Sequence, residues 1–285
     1  MAEILKGKPV ADKITQQTEY IIKKLKEKGI TPKLAILRVG ERKDDIAYEN
    51  AVSKRCEKVG IEVSRITLPS DVKEKVFFDA LYDISYDVKV HGILMFQPLP
   101  KHIDSEAARK MLPPEKDVDG ATSGSLAGVF TGEDLGFPPC TAKAAMEILD
   151  YYNIEISGKK AAVIGRSLVV GRPVACMLME ENATVTVCHT KTKDVREITK
   201  AADIIIAASG QMESIDETYL SKDKDQTIID VGIAWNEAKN KLCGDVLFEN
   251  VSEKVYALTP VPGGVGAVTN SILALHVAEA AGRMK

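Results

Sequence analysis

Ala161-Ala162-Val163-Ile164-Gly165-Arg166-Ser167-Leu168-Val169-Val170-Gly171-Arg172-Pro173 is an apolar run that ends in one glycine and meets a second where a helix can begin. With Lys159 and Lys160 ahead of it, the order is strand, tight turn, helix start. In that context the N–H groups of a helix N-terminus can face a pyrophosphate. The spelling departs from G-x-G-x-x-G, because Ser167 holds the middle place, Val170 the last, and Gly171 stands one place late. A side chain at the second position keeps backbone farther from phosphates, and Ser167 can either bond a phosphate or cap the helix. On these residues alone, a dinucleotide loop and an ordinary capped strand-to-helix turn both stay open.

The next strand discriminates between nicotinamide cofactors. An NAD site expects Asp or Glu about 20 residues on, bonding the ribose 2′-OH. Here the strand closes with Val187-Cys188-His189-Thr190-Lys191-Thr192, and no acid appears before Asp194. Thr190 and Lys191 offer a hydroxyl and a cation, Arg166 leaves the first turn nearby, and His189 fits beside a cofactor. That chemistry suits a 2′-phosphate, so NADP is expected over NAD. Taken singly, Lys191 is also compatible with a solvated loop lysine.

Strand-like and helix-like stretches alternate along the rest of the chain. Strands are expected at 33–39, 62–68, 92–96, 159–164, 184–188, 203–207 and 227–231; helices at 44–59, 73–87, 141–152, 171–181 and 268–283. The stretch 113–140, rich in Gly, Pro, Thr and Ser, interrupts the rhythm and reads as a long connection. Such alternation predicts an α/β fold of two lobes with parallel sheets covered on both faces. At 285 residues, 45% hydrophobic, the chain can build a core in each lobe. A net charge of −3 gives no reason to expect nucleic acid or an anionic membrane as partner. The N-terminal stretch has no signal-like apolar region, and no run reaches the roughly 20 apolar residues of a membrane span. Five scattered cysteines and four dispersed histidines show no metal-ligand spacing, so no metal is expected. A cytoplasmic protein is the expectation.

A second glycine-rich stretch, Thr259-Pro260-Val261-Pro262-Gly263-Gly264-Val265-Gly266, precedes the last helix. It occurs in order after Val39-Gly40, Tyr48, Gly92-Ile93-Leu94, Pro98-Leu99-Pro100, Lys116-Asp117-Val118-Asp119-Gly120, Pro139-Cys140-Thr141 and the Gly165-Arg166-Ser167 turn. Together these resemble the methylenetetrahydrofolate dehydrogenase/methenyltetrahydrofolate cyclohydrolase family over essentially the whole chain. The resemblance implies that Gly165-Arg166-Ser167 is the family's form of the dinucleotide loop. It implies a folate-binding domain at 1–140, completed by 266–285 because the last helix returns to it, and a Rossmann-type NADP-binding domain at 141–265. It further implies that Tyr48 stacks on the folate, that Asp119 bonds the pterin ring, and that Phe96, Pro262, Gly263 and Gly264 line the substrate. Gly165, Arg166, Ser167, Thr190, Lys191 and Ile233 would hold the cofactor, Asp117 would be structural, and the protein would be a homodimer.

The chain departs from the bifunctional pattern in the first lobe. Members with both activities pair the tyrosine with a lysine four residues later, and Val52 stands there. Lys54 is a poor substitute: four helical steps leave a side chain about 40° from Tyr48, whereas six turn about 600° and point it well away. The family glutamine's place is taken by Phe96, with Gln97 one step on and therefore on the other face unless the strand bulges. Lys43-Asp44-Asp45 replaces Pro-Ala-Ser, and Ala142 replaces a proline. Hydride transfer from 5,10-methylenetetrahydrofolate needs no enzyme base, whereas hydrolysis of the methenyl product needs protons moved. The expectation is an NADP-dependent dehydrogenase with weak or lost cyclohydrolase activity, leaving hydrolysis to a second protein. The alternatives are a bifunctional enzyme also forming 10-formyltetrahydrofolate, and a non-catalytic NADP-binding sensor.

Overall fold

Two parallel sheets, one in each of two units, organise the computed structural model, which describes residues 2–284. The strands in chain order are β1 (Glu3–Ile4), β2 (Lys33–Val39), β3 (Glu62–Leu68), β4 (Gly92–Met95), β5 (Lys160–Ile164), β6 (Thr184–Cys188), β7 (Ile204–Ala207), β8 (Thr227–Asp230), β9 (Ala234–Asn236), β10 (Lys241–Cys243) and β11 (Ala257–Leu258). The helices are α1 (Gly7–Glu27), α2 (Lys43–Val59), α3 (Glu74–Tyr86), α4 (Ser105–Met111), α5 (Ser123–Thr131), α6 (Cys140–Tyr151), α7 (Gly171–Glu180), α8 (Val195–Ala201), α9 (Phe248–Val251) and α10 (Thr269–Arg283).

The first unit comprises Lys13–Cys140 and the chain from Asn270 onward, so the last helix belongs with it. Its sheet runs β3-β2-β4, all parallel. Central β2 is buried from Leu34 through Arg38, as expected of a strand covered on both faces, whereas edge β3 is exposed at Glu62, Arg65 and Thr67. Ala35, Leu37, Ile93 and Met95 of the sheet pack with Phe77 and Leu81 of α3 and with Ala108 and Leu112. The buried Arg38 side chain is neutralised by Glu49 of α2, Nε to Oε2 at 2.5 Å. The stretch 113–140 is more regular than the sequence suggests, for it holds a 3-10 turn (Pro114–Lys116) and the whole of α5. Thr122 caps α5, its hydroxyl accepting the Ser125 N–H at 3.1 Å.

The second unit comprises the chain up to Asp12 and Thr141–Thr269. Its six-stranded sheet has the order β1-β11-β8-β7-β5-β6, with every neighbouring pair parallel. The strands β7 and β8 are buried at every residue, while edge β6 is exposed at Thr184, Thr186 and Val187. β9 and β10 form a separate antiparallel hairpin. Successive strands leave β5 in opposite directions, β6 on one side and β7 on the other, which makes a topological switch point at the carboxyl ends of β5 and β7.

Two boundaries differ from the sequence reading. The residues before Lys13, expected with the first lobe, belong to the second unit, and the division falls after Thr269 rather than after residue 265. The reason is backbone pairing: β1 lies parallel to β11, Glu3 against Ala257 and Ile4 against Leu258, and the Leu5 N–H continues to the Leu258 carbonyl at 3.0 Å. Among the described residues, no helix is long and apolar enough to cross a membrane, and no three His, Cys, Asp or Glu side chains form a set that could hold a metal ion.

Candidate functional site

In the second unit, β5 delivers the chain into the Gly165 turn. The Gly165 N–H donates to the Cys188 carbonyl at 2.9 Å, and the Ala208 N–H donates to Ile164 at 2.8 Å, so the turn is fixed to both neighbouring strands. Gly165 has φ 126°, and a Cβ there would collide with the Ala208 carbonyl oxygen. A Cβ on Gly171 would run into the Gly165 carbonyl group. The glycine that stands one place late thus lets the first turn of α7 press against the strand end, the task of the last glycine in the usual spelling. The exposed Ser167 hydroxyl accepts the Val170 N–H at 3.1 Å and the Gly171 N–H at 3.4 Å, just ahead of α7.

Arg166, Ser167, Thr190 and Lys191 are exposed on the turns after β5 and β6, which are neighbours with Ile164 opposite Cys188. His189 braces its own turn, Nδ1 accepting the Lys191 N–H at 3.1 Å while its backbone N–H donates to Thr192 Oγ1 at 2.9 Å. Ile233, 61% exposed, follows β8 on the same carboxyl edge, two strands from β5. The six expected cofactor residues therefore share one edge of one sheet.

In the first unit, Tyr48 on α2 and Phe96 beyond β4 meet edge to face, with ring centroids 5.8 Å apart and planes at 68°. The β2–β4 register runs unbroken from Leu34 opposite Gly92 to Leu37 opposite Met95, and the Phe96 N–H still reaches the Leu37 carbonyl at 3.0 Å. No bulge precedes Phe96. Gln97 carries a buried Nε2 with no hydrogen-bond partner.

Asp119 completes this cluster, joined by a residue not singled out as a site residue from the sequence, Cys140. Burial first, then the neighbouring Asp117, pushes the Asp119 carboxyl up to about 7, against the lowering effect of its hydrogen bond with the Cys140 thiol. The Tyr48 hydroxyl is pushed well above its usual range, chiefly by burial and next by Asp119 and Cys140. Cys140 Sγ also lies 3.2 Å from the Val118 carbonyl, which His276 Nδ1 approaches at 2.9 Å. A carbonyl only accepts, so His276 carries its proton on Nδ1. Nothing in the spacing of Cys140 and His276, 136 positions apart, could have paired them. Asp117 is occupied by backbone and hydroxyl, accepting from Ala121 N, Thr122 N and Ser125 Oγ at 2.7 to 3.0 Å, a structural role.

Val52 is fully buried one turn after Tyr48 on α2, and Lys54 is exposed. Pro262, Gly263 and Gly264 belong to the second unit, where the Gly263 carbonyl accepts the Gly7 N–H at 2.8 Å. Of the expected substrate residues, the structure thus brings together Tyr48, Phe96 and Asp119.

Comparison with known proteins gives matches to two family models. Residues 5–119 match the catalytic domain of tetrahydrofolate dehydrogenase/cyclohydrolase, and residues 139–285 match its NAD(P)-binding domain. The bifunctional protein FolD of Carboxydothermus hydrogenoformans is 47% identical over 281 residues, 98% of this chain and 97% of that one. Among solved structures, the bifunctional methylenetetrahydrofolate dehydrogenase/cyclohydrolase of Campylobacter jejuni superposes with a TM-score of 0.94 at 36% identity, covering 99% of each chain. The Trypanosoma brucei enzyme, solved with NADP cofactor and an inhibitor, superposes with a TM-score of 0.91 at 32% identity over 99% of this chain and 98% of that one.

Proposed function

The chain belongs to the tetrahydrofolate dehydrogenase/cyclohydrolase family, and from that premise we propose that it oxidises 5,10-methylenetetrahydrofolate with NADP while hydrolysing the methenyl product weakly or not at all. The observation that carries the second half is Val52, a buried aliphatic side chain one helical turn from Tyr48. An aliphatic group at that place can neither take up nor release a proton. Lys54 is exposed and, two steps farther round the helix, faces away from Tyr48.

The donor set of the second unit fits NADP. Arg166, Thr190 and Lys191 stand exposed on adjacent turns, two cations and a hydroxyl, and the end of β6 lacks the acid that a free ribose 2′-OH would call for. Bound there, NADP supplies the hydride acceptor. The first unit's share is positioning: Tyr48 and Phe96 give the pterin an aromatic wall, and Asp119 bonds its ring, so that the donor carbon is held for transfer without any proton movement. Hydrolysis makes a different demand, a water delivered and protons carried. The Tyr48 hydroxyl, pushed up by burial, stays protonated and is no base near neutrality. Asp119 titrates near 7, but in this reading its carboxyl is committed to the pterin.

The reading is completed by a homodimer, on family precedent, acting on a small-molecule folate; a net charge of −3 gives no reason to expect a nucleic-acid or anionic-membrane partner. The test is a pair of assays on purified protein. NADPH formation from methylenetetrahydrofolate is expected, faster than the same reaction with NAD, and methenyltetrahydrofolate hydrolysis is expected at least about 10²-fold slower than oxidation. Hydrolysis at the oxidation rate would restore the bifunctional reading. No reduction of either nucleotide would leave the non-catalytic sensor.

A further inference from the structure

Two buried carboxylates in the second unit, Asp230 and Asp245, hold the turns of its switch point. Asp230 ends β8 and is 3% exposed; Asp245 lies 15 residues on and is 1% exposed. Asp230 Oδ1 accepts the N–H groups of Gly232 and Asp245, each at 3.0 Å, and its Oδ2 accepts the Val246 N–H at 3.0 Å. Asp245 in turn directs a single oxygen, Oδ2, at the turn after β7, where it accepts the Ser209 N–H at 2.6 Å, the Ser209 hydroxyl at 2.9 Å and the Gly210 N–H at 2.9 Å. A Cβ on Gly232 would meet the Asp245 carboxylate, and one on Gly244 the Asp230 carboxylate, so the backbone closes tightly on both.

The turn so held begins at Ala208, whose carbonyl is the group pressed against Gly165. The connection is continuous: the Asp230 side chain fixes the Asp245 backbone, the Asp245 side chain fixes Ser209 and Gly210, and Ala208 backs the Gly165 turn. The turns after β5 and β7 are the two lips of the crevice where sheets of this topology bind their ligands. Neither carboxylate is exposed on that edge: Asp230 accepts backbone N–H groups on both oxygens, and Asp245 accepts two backbone N–H groups and a hydroxyl on Oδ2. Their place is behind the lips.

We propose that Asp245, anchored by Asp230, is a positioning residue for the dinucleotide, setting the Ser209–Gly210 turn against the Gly165 turn so that the crevice is formed before the cofactor arrives. The proposal rests on the NADP reading above. A loosened lip lowers the fraction of protein competent to bind, and the apparent dissociation constant rises by the inverse of that fraction. The cost falls on cofactor binding, not on the hydride step or on folate.

The geometry makes an asymmetric demand that a general need for buried charge would not. All three contacts of Asp245 converge on one oxygen, so Asp245→Asn can turn its carbonyl oxygen to meet them. Both oxygens of Asp230 accept backbone N–H groups, so Asp230→Asn must present an amide N–H to a backbone N–H. The experiment measures NADP dissociation constants by calorimetry, the KM values for NADP and methylenetetrahydrofolate, and kcat, on wild type, Asp245→Ala, Asp245→Asn and Asp230→Asn. Asp245→Ala and Asp230→Asn are expected to raise the NADP Kd and KM about tenfold, as for a competent fraction of about one tenth, with kcat and the folate KM within about twofold. Asp245→Asn is expected to recover most of the affinity. Unchanged NADP binding in Asp245→Ala, or Asp245→Asn as weak as Asp245→Ala, overturns the proposal. Should Asp245→Ala fail to fold, Ser209→Ala, which removes one of the three contacts, decides: a raised NADP KM at constant kcat supports the proposal and a wild-type KM overturns it. Wild-type protein that binds no NADP refutes the functional reading itself, an outcome distinct from wild type and Asp245→Ala binding it equally.

Discussion

The loop after β5 and the helix bearing Tyr48 both depart from the family pattern, and the two departures differ in kind. In the loop, the middle and last glycines are gone, yet Gly171 lets α7 approach the Gly165 carbonyl and the Ser167 hydroxyl accepts the Val170 and Gly171 N–H groups. Backbone geometry is an averaged property of several residues, so a neighbour can restore it. On α2 the departure that bears on proton transfer is Val52, an aliphatic side chain with no titratable atom. Neither Lys54 nor Phe96 supplies a cation there: Lys54 is exposed, and Phe96 meets Tyr48 as an edge-to-face aromatic pair. A shape can be rebuilt from the side, whereas a proton carrier has to stand where the proton moves.

The most forceful way to break this comparison is to supply the missing group. Val52→Lys is expected to raise methenyltetrahydrofolate hydrolysis by about 10² to 10⁴, the usual yield of a placed acid or base, with NADPH formation changed only a few-fold. An unmoved hydrolysis rate in a folded variant would mean that the proton carrier is elsewhere. Next comes the first glycine of the loop. Gly165→Ala combines a strained backbone at φ 126° with a collision at Ala208 and should lower kcat/KM for NADP on the order of 10²-fold. Steady-state kinetics with thermal melting alongside separate lost binding from lost fold. Lys191→Ala sharpens the cofactor side: kcat/KM for NADP should fall about tenfold, as for one charge-assisted contact, while that for NAD barely changes. Equal losses with both nucleotides would remove Lys191 from the 2′-phosphate.

A fourth, smaller effect concerns pH. Asp119 keeps its proton up to about 7 in the folded chain, against an ordinary 3.8. Between those values the folded state binds more protons than the unfolded one, so this carboxyl's contribution to stability declines as pH rises from about 4 to 7. Asp119→Asn, neutral at every pH, should therefore melt with wild type near pH 4 and above it by a few degrees near pH 8. Melting curves across that range test it, and a gain independent of pH would count against a buried, proton-holding carboxyl. Smallest of all, Lys54→Ala should leave both reactions within about twofold, as for an exposed side chain outside the site.

What could be read in advance follows the same division. Central strands such as β2 and β7 announce themselves as unbroken apolar runs, and the turns after β5 and β6 through their sequence context. α5 was hidden because its small residues mimic a loop. The packing explains them: a Cβ on Gly124 would strike the Pro114 ring, and one on Gly128 would come within 2.8 Å of the Glu133 carbonyl oxygen. Two-residue strands such as β1 are too short to carry a period. Cys140 beside Asp119, His276 on the Val118 carbonyl, and the Asp230–Asp245 bracket are tertiary events between distant residues, and no local pattern encodes them.

The pairing of β1 with β11 has a practical corollary for dissection of the molecule. A fragment cut to begin at Thr141 would keep the Gly165 turn and the Asp230–Asp245 pair but discard the sheet's outermost strand, leaving Ala257 and Leu258 with an open row of amides and carbonyls. Such a bare margin invites pairing with another molecule's strand. The nucleotide half of this protein therefore has to be expressed with its distant leading dozen residues stitched back on, because they close its border.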